Sequence, residues 1–302
     1  MTSLNKTPEE IWGPQAQPIH TSVPEGDYTA PYRDNSYFTC FDPEQKAFLE
    51  IHVMSTPNGE PHVRACAHID GAEVVIFEPL EQPKGDNQFV YRSEHIEFDV
   101  RGKTQVKHPD LTWDFNMTPH WDTIVDWGTF MPPAGGPPHQ HFDRTIKLIG
   151  PCTIKGKKYD INAVGHRDRA LGFRDESTNW REYCWIYAVF PDYTVSALRL
   201  LSADGTDLTG GYVNNDSEMR KIVSMGVVRD AAGLLSEGII GLENGEELII
   251  ESEGREAGFW IPMGWKRQGP TLSAYHEYCG VQRGDGTKGF GNFEHAIVRM
   301  IY

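Results

Sequence analysis

The chain has 302 residues, 39% hydrophobic and 24% charged, with a net charge of −15. This is the make-up of a globular protein with one large or two ordinary domains. The acidic balance argues against general nucleic-acid binding, which needs a basic surface.

No run approaches the roughly 20 apolar residues of a membrane span. Met1 to Glu10 lacks the basic and apolar blocks of a signal peptide. Cys40, Cys66, Cys152, Cys184 and Cys279 are scattered, with no Cys-x-x-Cys pair. That pattern points to reduced thiols in a cytoplasmic protein. The absence of P-loop, GxGxxG, GxSxG and HExxH patterns argues against nucleotide-dependent, serine-hydrolase and zincin chemistry.

Residues 1 to about 35 are rich in Pro, Gly and polar groups and read as an extended arm. Trp12, Tyr28 and Tyr32 are suited to pin it. From Tyr37 onward, short alternating segments follow one another: 36–41, 47–54, 62–68, 73–78, 96–100 and 111–115. Turns at 42–45, Asn58-Gly59, Asp70-Gly71 and Arg101-Gly102 separate them, as in antiparallel hairpins. Met131 to Pro138 cannot be a central strand and reads as a loop or lid. A strand resumes at 145–149, and Ile154 to Ile161 reads as a hairpin about the Lys155-Gly156-Lys157 turn. Further strands follow at 183–190, 194–201, 208–213, 222–228, 234–242 and 246–252, and the last runs from Gly291 to Tyr302. No long 3.6-residue period appears; a short helix is expected only near Pro8–Trp12 or Trp121–Trp127. The expected fold is all-β, with two antiparallel β-barrels or sandwiches in tandem, an N-terminal domain over 1–177 and a C-terminal domain over 178–302.

The most informative stretch is Gly165-His166-Arg167-Asp168-Arg169-Ala170-Leu171-Gly172-Phe173-Arg174-Asp175, which sets charges among strong core formers. A buried charge needs a partner or a chemical task. Asp168 is a candidate acid, kept protonated by burial. It is equally a candidate member of a structural ion-pair cluster with Arg167, Arg169 and Arg174. The acid reading requires those Arg side chains to point away or to pair with Asp175 and Glu176, because adjacent cations lower a carboxyl pKa. His139, His141 and His166 are candidates to relay protons or position water. Trp180, Tyr183, Trp185 and Tyr187 are candidates to line a pocket and stabilise positive charge, or simply to fill a core. Glu294 and His295 take opposite faces of the last strand.

The Gly165–Gly172 segment resembles a signature of carotenoid 1,2-hydratases and the related AttH-like proteins, Gly-[Tyr/His]-x-Asp-x-x-x-Gly. The aromatic strand after it and the Gly291–Glu294 element agree with that likeness. The resemblance spans residues from about 35 to 302 and implies tandem lipocalin-like domains; fungal Diels–Alderases are similar in fold. It places His139, His141, His166 and Asp168 at positions implicated in hydratase catalysis, with His141 standing for Trp and His166 for Tyr.

The resulting expectation is a cofactor-independent enzyme with no metal: a hydratase or dehydratase, an isomerase or a cyclase. Its substrate would be a hydrophobic, terpenoid-, steroid- or polyketide-like small molecule. The substrate-binding candidates are Trp180, Tyr183, Trp185, Tyr187, Arg174 and Glu294. Homo-oligomer formation is left open. One rival is a non-catalytic lipocalin-like carrier. The other is a cupin-like metal enzyme, because His139 and His141 share one strand face at metal-ligand spacing.

Overall fold

The structure is a computed structural model. It describes residues 6–20, 22–26, 30–55, 61–81, 88–130, 139–173, 180–262 and 269–301; the side chains of 139, 262, 269–271, 299 and 301 are excepted. Tyr28, the Asn58-Gly59 turn, the 131–138 loop, Arg174, Asp175 and Glu176 lie outside the described residues.

The chain forms two compact units, one within 1–126 and 135–174 and the other within 127–134 and 175–302. The first unit opens with the helix α1 (Pro8–Trp12), whose Thr7 and Glu10 form a reciprocal capping box. Its strands are β1 (Tyr32–Asp42), β2 (Ala47–Ser55), β3 (His62–Ile69), β4 (Ala72–Pro79), β5 (Val90–Arg92), β6 (Ile96–Asp99), β7 (Lys103–His108), β8 (Leu111–Pro119), β9 (Val125–Asp126), β10 (His139–Ile154) and β11 (Lys157–Phe173). They make one antiparallel sheet in the order β4-β3-β2-β1-β11-β10-β8-β7-β6-β5, with β9 paired to β10. The sheet curls until its edges meet, Glu81 N donating to Arg92 O at 2.8 Å. Tight hairpins at Asp70-Gly71 and Lys155-Gly156 have positive φ at both residues, as a two-residue turn requires.

The inside of the curl holds an apolar core that includes Phe38, Ile51, Phe98, Trp113, Phe115 and Leu148. The arm is anchored there. Trp12 is buried, and the Arg167 guanidinium stacks 4.2 Å from its ring. Trp121–Trp127 holds no helix; the chain passes through β9 to a short 3-10 turn at Trp127–Thr129.

The second unit is a closed eight-stranded barrel. Its strands are β12 (Trp180–Val189), β13 (Thr194–Ser202), β14 (Asp207–Asn214), β15 (Met219–Arg229), β16 (Leu235–Leu242), β17 (Glu247–Pro262), β18 (Gly269–Arg283) and β19 (Lys288–Ile301). Closure removes the exposed edges. Its core gathers Cys184, Ile186, Ala188, Val195, Ile240 and Phe293. All five cysteines are free and buried. Among the described residues no helix is long and apolar enough to cross a membrane.

Candidate active site

The signature segment is not a loop. It is the second half of β11, between β10 and β1, so its side chains alternate between the two faces of the sheet. Gly165 allows this: a Cβ there would sit 2.0 Å from Thr39 O and 2.6 Å from Cys40 Cα. Only glycine lets β1 and β11 run this close.

On the inner face, Arg169 makes a two-pronged pair with Asp34 at 3.0 and 2.8 Å and donates to Pro18 O and Gln17 O of the arm. Burial alone would raise the Asp34 carboxyl, but Arg169 and His20 hold it below the usual range. Arg167 donates to Val100 O and Gln15 O. Burial, and then repulsion from Arg169 and Arg144, lowers its pKa to about 9. Neither Arg faces Asp168. Of the alternative ion-pair cluster of Asp168 with Arg167, Arg169 and Arg174, the first two cations instead anchor the arm from the opposite face, and Arg174 lies outside the described residues.

Asp168 lies on the other face, directly across from Asp143 of β10 and from Tyr37 of β1. His141 Nε2 stands 3.1 Å from Asp168 Oδ2 and 3.1 Å from Asp143 Oδ1. His166 Nε2 stands 3.0 Å from Asp143 Oδ2. The result is a chain of alternating groups: His166, Asp143, His141, Asp168. Asp143 and His166 are buried, while Asp168 and His141 keep 18% and 23% of their side-chain surface exposed, so the open end of the chain is the His141–Asp168 pair.

Burial opposes a charged His141, but Asp143 and then Asp168 raise its pKa to about 9. Burial likewise opposes a charged Asp143, yet His166 and His141 hold it well below the usual carboxylate range. At neutral pH His141 is an imidazolium, held beside Asp143 and Asp168. Next to this pair, Tyr37 Oη donates to Glu50 Oε2 at 3.2 Å, and Arg64 Nη2 holds Glu50 Oε1 at 2.5 Å.

Sequence reasoning placed His141, His166 and Asp168 among the site candidates, and the fold brings them together. The side chain of His139 and the whole of Arg174 lie outside the described residues. Asp143 and Tyr37 were not among the catalytic or substrate-binding candidates. Asp143 carried a local signal, two residues beyond His141 on one strand. Tyr37 carried none, because its place opposite Asp168 is a pairing across more than a hundred residues.

The remaining candidates belong to the second unit, all near one face of β12. Tyr183 Oη donates to Glu294 Oε1, and His276 Nε2 lies 3.2 Å from the same oxygen. Trp185 Nε1 donates to Ser196 Oγ at 3.0 Å, and its ring lies 5.7 Å from that of Tyr187. Trp180 meets Tyr183 edge-on at 5.6 Å. Tyr183, Trp185, Tyr187 and Glu294 are all buried.

His295, on the opposite face of β19 from Glu294, joins Arg229 and Glu182. Close by, burial raises Glu277 to about 7 in spite of its pairing with Arg255.

His141, Asp143 and Asp168 present three donor atoms within 4.8 Å of one another, as do Glu182, Cys184 and His295, and Glu78, Glu94 and His95. In the second set the Arg229 guanidinium already reaches Glu182 and the Cys184 Sγ. The first set has the hard, mixed N/O character suited to a divalent cation.

No curated protein sequence matches the chain. Solved structures do match in fold. An AttH-like protein from Nitrosomonas europaea is 15% identical, with a TM-score of 0.64 over 94% of this chain and 95% of that one. Kievitone hydratase from Nectria haematococca is 13% identical, with a TM-score of 0.62 over 95% and 93%. CghA with Sch210972 is 9% identical, with a TM-score of 0.57 over 98% and 96%. These likenesses establish the lipocalin-like all-β fold expected from the sequence. A family model described as "Domain of unknown function (DUF7064)" matches residues 23–299, nearly the whole chain, and the protein belongs to that family.

Proposed function

We propose that the protein is an acid–base enzyme that adds water to, or removes it from, a hydrophobic small molecule, working through the His141–Asp168 pair. The observation that carries this reading is the single imidazole held 3.1 Å from each of two carboxylates, with the outer carboxylate partly exposed. Asp143, locked between His166 and His141, keeps a proton on His141. Asp168, at the open end of the chain, is assigned the role of base in place of the acid role expected from the sequence.

In the dehydration direction, His141 Nε2 gives its proton to the departing hydroxyl while the C–O bond breaks. Asp168 takes a proton from the neighbouring carbon, whose C–H electron pair becomes the π bond. Water and alkene leave. Asp168 then returns its proton to His141 across their 3.1 Å contact, and the pair is restored. Hydration is the same sequence reversed. A cyclase would use the same proton donor to develop and control positive charge. Tyr183, Trp185 and Tyr187 with Glu294 form a buried aromatic and acidic cluster of the second unit, proposed by itself as a ligand-binding group. Among the fold relatives, kievitone hydratase is a hydratase by name and CghA has been solved with Sch210972, which is consistent with such chemistry.

The deciding experiment is turnover of tertiary or allylic alcohols and their alkenes by wild-type and Asp168→Asn protein. Wild-type turnover abolished in Asp168→Asn, with ligand binding retained, supports the enzyme. Binding without turnover in both proteins returns the reading to a lipocalin-like carrier.

A second reading has a specific observation in its favour: the three donor atoms of His141, Asp143 and Asp168 match a cation site. It moves the cupin-like expectation from the His139/His141 pair to a different trio. Elemental analysis of untagged protein tests it. A stoichiometric metal lost in His141→Ala would replace the proton-transfer reading.

A further inference from the structure

Residues directly paired across antiparallel strands share a face. On the face that carries the His141–Asp168 pair, one cross-strand row runs Asp143, Asp168, Tyr37, His52, Arg64. The next row runs His141, Ala170, Asn35, Met54. Ala170 therefore stands between His141 and Asn35 with only a methyl group, so the row dips between two larger polar side chains.

Asn35 is 2% exposed, and neither its Nδ2 nor its Oδ1 has a hydrogen-bond partner among the described residues. Leaving both halves of a carboxamide unsatisfied in a buried place is costly, and natural proteins seldom do so without a reason. Four residues further along β1, on the same face, the Thr39 Oγ1 is in the same condition beside His166. An apolar residue of similar size at position 35 would fill the space without that penalty. The amide's donor and acceptor are thus kept for something that enters the site.

We infer that Asn35 is a substrate-recognition residue, and that the substrate is an oxygenated hydrophobic molecule carrying a hydroxyl or carbonyl group a few bonds from the reacting carbon, not a pure hydrocarbon. Asn35 is the diagonal neighbour of Asp168 across β1 and β11, a separation of roughly 7–8 Å between such positions. An oxygen held by the amide therefore fixes which carbon of the substrate meets the His141–Asp168 pair. A hydrocarbon of the carotene type would leave the amide unsatisfied and be rejected for that reason. This inference rests on the proton-transfer reading of the same face, and it gives that reading a substrate class.

The test is calorimetric titration with three probes of one carbon-chain type: farnesol, geranylacetone and farnesene. Wild-type protein is expected to bind farnesol and geranylacetone at least about tenfold more tightly than farnesene, the size of one satisfied buried hydrogen bond. Asn35→Leu should bring the three affinities together. Asn35→Asp, which fills the same volume, removes the N–H donors and should lose geranylacetone while retaining farnesol. Asp168→Asn should abolish turnover but keep the preference for oxygen, which separates failure of this inference from failure of the catalytic one. Equal binding of all three by wild-type protein, binding of none, or a preference that survives Asn35→Leu overturns the assignment.

Discussion

Asp168 and Arg169 are neighbours in the chain but serve opposite faces of β11: Asp168 meets His141 at 3.1 Å, and Arg169 pairs with Asp34 at 2.8 Å. The strand's two-residue repeat separates a candidate catalytic carboxylate from the cation beside it. It also gives the two groups different consequences when altered.

Arg169→Leu should unfold the first unit much more readily than the loss of a surface cation would. It leaves the Asp34 carboxylate buried without its main partner, a defect worth about 3–5 kcal/mol. Denaturant titration should show Asp34→Asn combined with Arg169→Leu losing clearly less than the sum of the single changes.

The imidazole of His141 has its pKa raised from 6.5 to about 9 in the folded chain. Its stabilising contribution is therefore complete below pH 6.5 and is lost as pH rises through 9. Stability from urea titration should fall between those limits by on the order of 2–3 kcal/mol from this group. His141→Gln should remove most of that slope while leaving the part due to lysines and tyrosines.

Asp143→Asn takes away the charge that holds the proton on His141. The alkaline limb of the kcat/KM profile should move down by one pH unit or more, while Asp168→Asn should lower the rate about 10²–10⁴-fold at every pH. A profile unchanged by Asp143→Asn would remove that residue from the proton chain.

At Gly165 a Cβ would meet Thr39 O at 2.0 Å, and at Gly291 it would meet Tyr187 O at 2.1 Å. In both cases the obstacle is backbone, which cannot swing aside. Gly165→Ala and Gly291→Ala should each lower Tm by ten degrees or more, or abolish soluble expression. Gly254→Ala, with nothing within 4 Å of its Cβ, is the matched control and should be close to neutral.

Much of the fold was legible locally. The two-residue alternation marks β4 and β8, where buried and exposed side chains take turns, and Asp70-Gly71 and Lys155-Gly156 mark hairpins through their positive φ. His141, His166 and Asp168 stood out because polar groups interrupt apolar runs there. The same alternation, carried through 165–173, would have put Arg167 and Arg169 on one face and Asp168 on the other. A short helix was the expectation for Trp121–Trp127, but the chain forms β9 there because β10 offers its backbone a partner.

The sequence by itself determined that the protein is built of antiparallel strands, where most of them turn, and which side chains share a face within one strand. Those properties depend on neighbours one to four residues away. Only the tertiary structure decided that Tyr37 lies opposite Asp168, that Asn35 lies opposite Ala170, and that Arg169 spans 135 residues to reach Asp34. Register between distant strands is fixed by burial of a whole face at once, and a slip of one residue would turn every one of these side chains to the other side.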